Sequence, residues 1–251
     1  MHQISRVRHE TRRRTLDVLR IEQVTPGMMR VWLGGDELAG FTSLGADDHI
    51  KVFVPGEGGE QERATEMRDY TPRRYDAAAN ELAVDFALHD AGPATAWARG
   101  ASVGSTVEIG GPRGSMVVPA DFDWWLLIGD ETALPAMGRR LEELPEGTPV
   151  IALAAVTGPA EQQSFETRTA LQAHWVHRPL ADAGDPTLLL GALKAITLPA
   201  GDGFVWIAAE ANVTRTLRSH VLETLGHKPQ WVKASGYWVK GRADATEKFE
   251  N

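Results

Sequence analysis

The chain of 251 residues contains no cysteine. That absence excludes disulfides, iron–sulfur ligation and thiolate catalysis by the chain itself, and it fits a reducing compartment. Neither Gly-x-Gly-x-x-Gly nor Gly-x-x-x-x-Gly-Lys-Thr occurs, so the common dinucleotide and triphosphate fingerprints are missing. A nicotinamide site, if the chain has one, must be built differently. There is no Gly-x-Ser-x-Gly elbow and no His-Glu-x-x-His pair among the eight histidines. His174 and His177, three apart beside a tryptophan, are too weak a pattern for a metal, and no metal is expected. No apolar run approaches the ~18 residues of a membrane span. The start, Met1-His2-Gln3-Ile4-Ser5-Arg6, lacks the apolar core of a signal peptide, so the expected location is cytoplasmic. Basic residues are outnumbered 26 to 34, for a net charge of −8, which argues against nucleic acid as a partner.

What is present divides into two grammars. Up to about residue 118 the chain reads as short strands broken by turns. These are Thr15 to Ile21, Met28 to Leu33 after a Pro26-Gly27 turn, His49 to Val54, Glu81 to Leu88, and Thr106 to Ile109. Gly56 to Gly59 reads as a loop tip. Strands at this spacing imply a closed barrel or a sandwich. Beyond Val118-Pro119-Ala120-Asp121 the period changes. Trp124 to Gly129, Val150 to Val156 and Phe204 to Ala209 are apolar runs that suit buried parallel strands. Helices are expected over Leu134 to Leu144 and from about Ala211 to Leu225, and Trp231 to Trp238 closes the chain. Strands alternating with helices make an α/β sheet. The expected organisation is therefore β followed by α/β, with domains 1–119 and 120–251 and no internal repeat. The tryptophans, among them Trp124, Trp125, Trp206, Trp231 and Trp238, read as packing residues.

The most informative stretch is Arg68-Asp69-Tyr70-Thr71-Pro72-Arg73. It combines cations, an aromatic ring and a hydroxyl, which are the groups a flavin needs for its pyrophosphate, its ring and its reactive edge. In a strand Arg68 and Tyr70 share a face, and Pro72 belongs at an edge or a strand end. His89-Asp90-Ala91-Gly92-Pro93-Ala94-Thr95 leads from a strand into a helix. Gly92 would allow close backbone approach and Thr95 adds a hydroxyl, so the turn suits either a phosphate cradle or a plain connection. Gly129-Asp130-Glu131-Thr132-Ala133 follows a parallel strand, where ligands sit in such sheets, with Asp130 or Thr132 able to cap the next helix. Glu210-Ala211-Asn212 follows another such strand, with Asn212 the expected cap.

Taken in order, these segments together with Gly111-Pro112-Arg113-Gly114-Ser115 and Gly236-Tyr237-Trp238-Val239-Lys240-Gly241 resemble the siderophore-interacting protein family, the flavin-dependent ferric-siderophore reductases. The resemblance runs from about residue 14 to Arg242. It implies an N-terminal FAD-binding antiparallel β-barrel like that of ferredoxin reductases, followed by a parallel-sheet domain that binds NAD(P)H. By position, Arg68 would neutralise the FAD pyrophosphate, Tyr70 would stack on the isoalloxazine and Thr71 would reach its N5 edge. His89, Gly92, Ala94 and Thr95 would wrap the phosphates and the adenosine side. Asp130, Glu131, Thr132 and Ala133 would receive NADH or NADPH, and Tyr237 and Trp238 would lie near the flavin. The implied activity is reduction of a ferric siderophore by NAD(P)H, with a ferredoxin as another possible donor. Lys51, Arg113, Lys233, Lys240 and Arg242 are candidate cations for an anionic ferric complex. Arg139, Arg140, Arg168 and Arg215 are candidates to recognise the NADPH 2′-phosphate. A general flavin or ferric-chelate reductase, and a ferric-siderophore-binding protein without turnover, are the alternative functions.

Overall fold

The structure is a computed structural model that describes residues 2–55, 65–88 and 92–249. The chain divides into two compact units, Met1–Pro119 and Ala120–Asn251.

In the first unit β1 (Ser5–Arg8) is followed by β2 (Arg13–Thr25), β3 (Met28–Gly34), β4 (Ile50–Pro55), β5 (Thr65–Tyr70), β6 (Pro72–Asp76) and β7 (Glu81–Ala87). Helix α1 (Pro93–Gly100), β8 (Thr106–Gly110) and β9 (Gly114–Val117) complete it. Seven strands form one antiparallel sheet in the order β5-β4-β8-β2-β3-β7-β6. The two edge strands, β5 and β6, are consecutive in the chain and separated only by Thr71. A single residue reaches less than ~4 Å, so the sheet must curl until its edges meet. Thr71 sits on that seam, and Pro72 takes the first position of its strand, where a missing N–H is tolerated. The core inside the curl includes Leu16, Val31, Ile50, Val52, Leu82, Val84 and Phe86, with Tyr70 and Trp97 packed against it. The five strands expected from the sequence are all present. β1, β6 and β9 had no clear period to reveal them.

In the second unit the order is β10 (Trp124–Asp130), α2 (Leu134–Glu143), β11 (Pro149–Val156), β12 (Ala170–His177), α3 (Thr187–Ala195), β13 (Gly203–Glu210), α4 (Ala211–Ser219), β14 (Val232–Trp238) and β15 (Glu247–Lys248). The sheet runs β12-β11-β10-β13-β14-β15. Its first five strands are parallel, and β15 is antiparallel to β14. The chain leaves β10 toward β11 and β12, then crosses back to lay β13 on the other side of β10. This reversal opens a crevice at the carboxyl ends of β10 and β13, where ligands of open α/β sheets bind. Both strands are buried along their whole length, as their continuous apolar runs require. The expected helix from Ala211 is α4 continued by one π-helical turn, His220–Thr224.

Candidate functional site

The segment expected to hold a flavin starts on the edge strand β5, with Arg68 and Tyr70 on the half-buried face. Register pairs Tyr70 with Ile50 and Arg68 with Val52, while Asp69 faces Lys51 on the other side. Lys51 accordingly donates to Asp69 at 3.0 Å. Arg68 donates to the carboxylate of Glu66, its neighbour two residues back on the same face, and to the Met67 carbonyl at 2.9 Å. Glu66 was silent in the sequence, although the two-residue period of a strand places it there. The Tyr70 ring packs on Phe86 at 4.4 Å between centroids, and Phe86 in turn meets Trp97 of α1 at 5.4 Å. Burial pushes the Tyr70 phenol above its ordinary value, against the opposing pull of Arg68, so it is neutral at physiological pH. Thr71 is buried at the seam.

Phe86 thus couples the strand that carries the motif to the helix that carries the second candidate segment. Gly92 precedes α1 with φ 130°, in the region that favours glycine, and a Cβ there would meet no atom within 4 Å. No side chain caps α1 among the described residues, and Pro93 opens it. A helix start of this kind favours an anionic ligand. Ala94 and Thr95 are buried in that turn. The backbone freedom and unfilled space at Gly92 and a cation beside a neutral aromatic ring fit a flavin with its pyrophosphate. His89 lies outside the described residues, as does the Gly56 to Gly59 loop.

Asp85 and Arg73 make a further contact. Asp85, fully buried, receives a two-pronged hydrogen bond from Arg30 at 2.6 and 2.8 Å, with Arg73 Nε at 3.8 Å. The second cation of the flavin motif is therefore turned onto the β7 carboxylate. Its burial argues for holding β6 against β7.

In the second unit the crevice is organised by Asp130. Its Oδ1 accepts from the Thr132 amide (3.0 Å) and hydroxyl (2.6 Å). Its Oδ2 accepts from the Glu210 amide (3.0 Å) and the Trp238 indole (2.8 Å). One buried carboxylate thus ties together the ends of β10, β13 and β14. Neither Asp130 nor Thr132 caps α2, in contrast to the expectation; Asp130 closes the turn before the helix instead. Asn212 likewise does not cap α4. The cap is Glu210, whose Oε2 accepts from the Asn212 and Val213 amides at 2.6 and 3.3 Å, because the helix begins at Ala211 and Glu210 still has non-helical backbone, φ −53° and ψ 143°. Gly129 is required by close packing, since a Cβ there would lie 2.4 Å from Ala133 Cβ. Glu131 pairs with the buried Arg178 at 2.6 Å. Burial, then Asp130, pushes the Glu131 carboxyl upward against the pull of Arg178. Tyr237 meets Trp206 edge-on at 6.1 Å.

The other candidate cations are placed individually. Arg113 and Arg242 are exposed. The Lys240 amide donates to Glu210 at 3.1 Å and its ammonium to the Ala181 carbonyl. Lys233 pairs through β14 with Trp206 of β13. His174 and His177 fall on opposite faces of β12, where a shared metal is impossible, and His177 contacts Gln162 at 2.9 Å.

Residues 17–116 match the siderophore-interacting FAD-binding domain, and residues 122–241 match the siderophore-interacting protein domain. The chain is 38% identical to the NADPH-dependent ferric-chelate reductase of Escherichia coli (strain K12), over 93% of this chain and 95% of that protein. It is 28% identical to the ferric vibriobactin reductase ViuB of Vibrio cholerae, covering 91% and 90%. The crystal structure of a siderophore utilization protein from T. fusca superposes with a TM-score of 0.87 at 34% identity, covering 97% of this chain and 98% of that one. The cytochrome b5 reductase domain of Ulva prolifera nitrate reductase shares the fold at 14% identity, with a TM-score of 0.67 over 88% and 96%. With a curled antiparallel flavin-type unit, a parallel α/β unit and these matches over nearly its whole length, the chain belongs to the siderophore-interacting protein family.

Proposed function

We propose that this chain is an FAD-dependent reductase of ferric siderophores that draws electrons from NAD(P)H in the cytoplasm, for release of iron. The observation that carries the reading is the seam at Thr71. The strand-to-strand step that closes the sheet carries Arg68, Tyr70 and Thr71, and the Tyr70 ring is linked to α1 through Phe86 and Trp97. A relative 38% identical over 93% of the chain is named for ferric-chelate reduction with NADPH, which supports the same activity here.

When bound, FAD supplies the ring that takes a hydride from the nicotinamide and passes electrons on to iron. Ferric iron held by a siderophore is the substrate, and its reduction weakens the chelate. The residues bind and orient. Arg68, held by Glu66, offers its remaining N–H donors to the pyrophosphate, and Gly92, Ala94 and Thr95 bring the start of α1 to the phosphates and the adenosine side. His89 completes this segment. Tyr70, neutral and backed by Phe86, presents an apolar ring face, and the Thr71 hydroxyl offers a hydrogen bond at the reactive edge. Asp130, Glu131, Thr132 and Ala133 shape the crevice for the nicotinamide donor. Asp130 also fixes Trp238, which with Tyr237 provides the closing aromatic surface. Lys51, Arg113, Lys233, Lys240 and Arg242 supply positive charge for the ferric complex.

Purified protein incubated with FAD and freed of excess should show bound-flavin absorbance. That band should bleach anaerobically with NADH or NADPH and return when a ferric siderophore is added. Lack of flavin retention would sink the proposal. Bleaching only by a reduced ferredoxin would transfer the donor role to that partner. Retention with no bleaching by any donor would favour a binding protein without turnover.

A further inference from the structure

An uncovered sheet edge offers unpaired backbone groups to another strand, and most edges in this chain are guarded. The seven-stranded sheet of the first unit brings its two edges together at Thr71. The small β1–β9 ribbon carries Arg6 and Arg8 on β1. The six-stranded sheet of the second unit ends on one side in β15, two residues long and both charged, Glu247 and Lys248. Its other edge is β12, and this edge is different. Ala170-Leu171-Gln172-Ala173-His174-Trp175-Val176-His177 holds no lysine, arginine, aspartate or glutamate, no proline and no glycine. It keeps one register with β11 from end to end.

The ladder fixes where the spare groups of β12 point. The Ala170 amide donates to the Thr148 carbonyl and the Arg178 amide to the Val156 carbonyl, both on the β11 side. Hydrogen bonding alternates along a strand, so Gln172, His174 and Val176 also turn their backbone groups to β11. Leu171, Ala173, Trp175 and His177 therefore direct N–H and C=O outward. Among the described residues those outward groups have no hydrogen-bond partner. Gln172, Ala173 and His174 are exposed in succession, with side chains on alternate faces. Neither the faces nor the edge is covered at mid-strand.

We infer that β12 pairs with β12 of a second copy of this chain, antiparallel about a two-fold axis at His174. In that register Leu171 lies opposite His177 of the second copy and Ala173 opposite Trp175, so every outward residue meets an outward residue and exchanges both its bonds. Moving the axis to Ala173 leaves His177 with no strand residue opposite. Moving it to Trp175 leaves Leu171 opposite Pro179, which has no N–H, and sets two indoles against each other. The His174 register instead sets the large Trp175 ring against the small Ala173. This self-complementarity in bonding and size is what selects a second copy over an unrelated extended peptide. The strand brings no ammonium or carboxylate against its like, although each chain carries a net charge of −8. Pairing joins two six-stranded sheets into one continuous sheet.

Sedimentation equilibrium of the full chain tests the inference without iron, flavin or turnover. Wild type should move from monomer toward dimer mass at concentrations on the order of 100 µM, the weak regime of so small an interface. Ala173→Pro removes an outward N–H and spares the β11 ladder, and His174→Lys sets two ammonium groups face to face at the axis. Both variants should stay monomeric and melt close to wild type. Single cysteines read the register, because the chain has none of its own. With oxidised glutathione, His174→Cys should give a disulfide-linked dimer, since the axis brings the two Cβ atoms to about 5 Å. Gln172→Cys, opposite Val176 of the second copy, should not. Monomer mass at every concentration, a dimer that persists in both edge variants, or equal cross-linking of the two cysteine variants overturns the inference. Should Ala173→Pro fail to fold, His174→Lys and the cysteine pair decide it.

Discussion

Arg68 is tied in place before any ligand arrives. Its Glu66 partner sits on the same face of an edge strand, and the Arg68 side chain is about a quarter exposed. The pairing fixes the guanidinium without consuming all its donors, so a diphosphate meets a cation that need not be ordered on binding. Arg68→Ala should therefore weaken FAD binding by about 10- to 100-fold, the range for one lost hydrogen bond to a charged group. Thermal stability should change little, because a partly exposed ion pair contributes little to folding. Quenching of flavin fluorescence on titration measures the first quantity and a melting curve the second. Unchanged FAD affinity would remove Arg68 from the pyrophosphate role. Asp130 works in the opposite sense. Its four hydrogen bonds among the described residues are all internal, so on the proposed reading it holds the edges of the crevice in register.

At the scale of elements, the second unit depends on how α4 returns to the sheet. The π-helical turn after α4 ends before His227, whose Nε2 meets the Gly203 carbonyl at the start of β13 at 3.0 Å and whose ring packs on Trp124 and Trp231. Burial holds the His227 imidazole below its ordinary value of 6.5, outweighing the pull of the Gly203 carbonyl. The folded state thus resists a proton that the unfolded chain accepts. Stability is full above the unfolded value and declines as pH falls below about 6.5 toward the depressed folded value. Melting temperature should drop between pH 7 and pH 5, and His227→Gln, which keeps a donor for the Gly203 carbonyl, should show a shallower drop. Equal slopes would mean that other groups set the acid limit. The elements that sequence reading found are those with an internal signature, namely the apolar runs of β10, β11 and β13 and the alternation of β7. β12 was missed because it is an edge strand with mostly exposed side chains, reading Ala170-Leu171-Gln172-Ala173-His174-Trp175-Val176-His177. α3 was missed because Gly191 interrupts a short apolar stretch with little polar contrast. Arg178, the buried partner of Glu131, went unseen for the same reason as β12, since it stands at a strand end that the pattern did not reveal. Glu210 was passed over in favour of Asn212 because cap residues are read by type, whereas the cap is decided by where helical dihedrals begin. Arg68, Tyr70, Thr71 and Gly92 stand out in the sequence because each carries a group or a backbone freedom that a plain surface strand or turn does not need, and their place at the flavin is the proposal above.

At the scale of the whole molecule, the net charge of −8 opposes the approach of an anionic ferric complex, while the candidate cations favour it locally. The two effects differ in range, and salt separates them. At about 0.01 M ionic strength the screening length is about 30 Å and the whole charge acts; at about 0.15 M it is about 8 Å and only nearby groups act. Lys51 is already engaged by Asp69 and Lys240 by the Ala181 carbonyl, whereas Arg113 and Arg242 are exposed. If these two arginines guide the substrate, kcat/KM for an anionic ferric siderophore falls as salt rises, despite the protein's overall sign. Arg113→Ala and Arg242→Ala should each flatten that dependence, and a neutral ferric chelate should show none. A kcat/KM that instead rises with salt would mean that the overall negative charge governs encounter, and the two arginines would lose their role as the attracting groups.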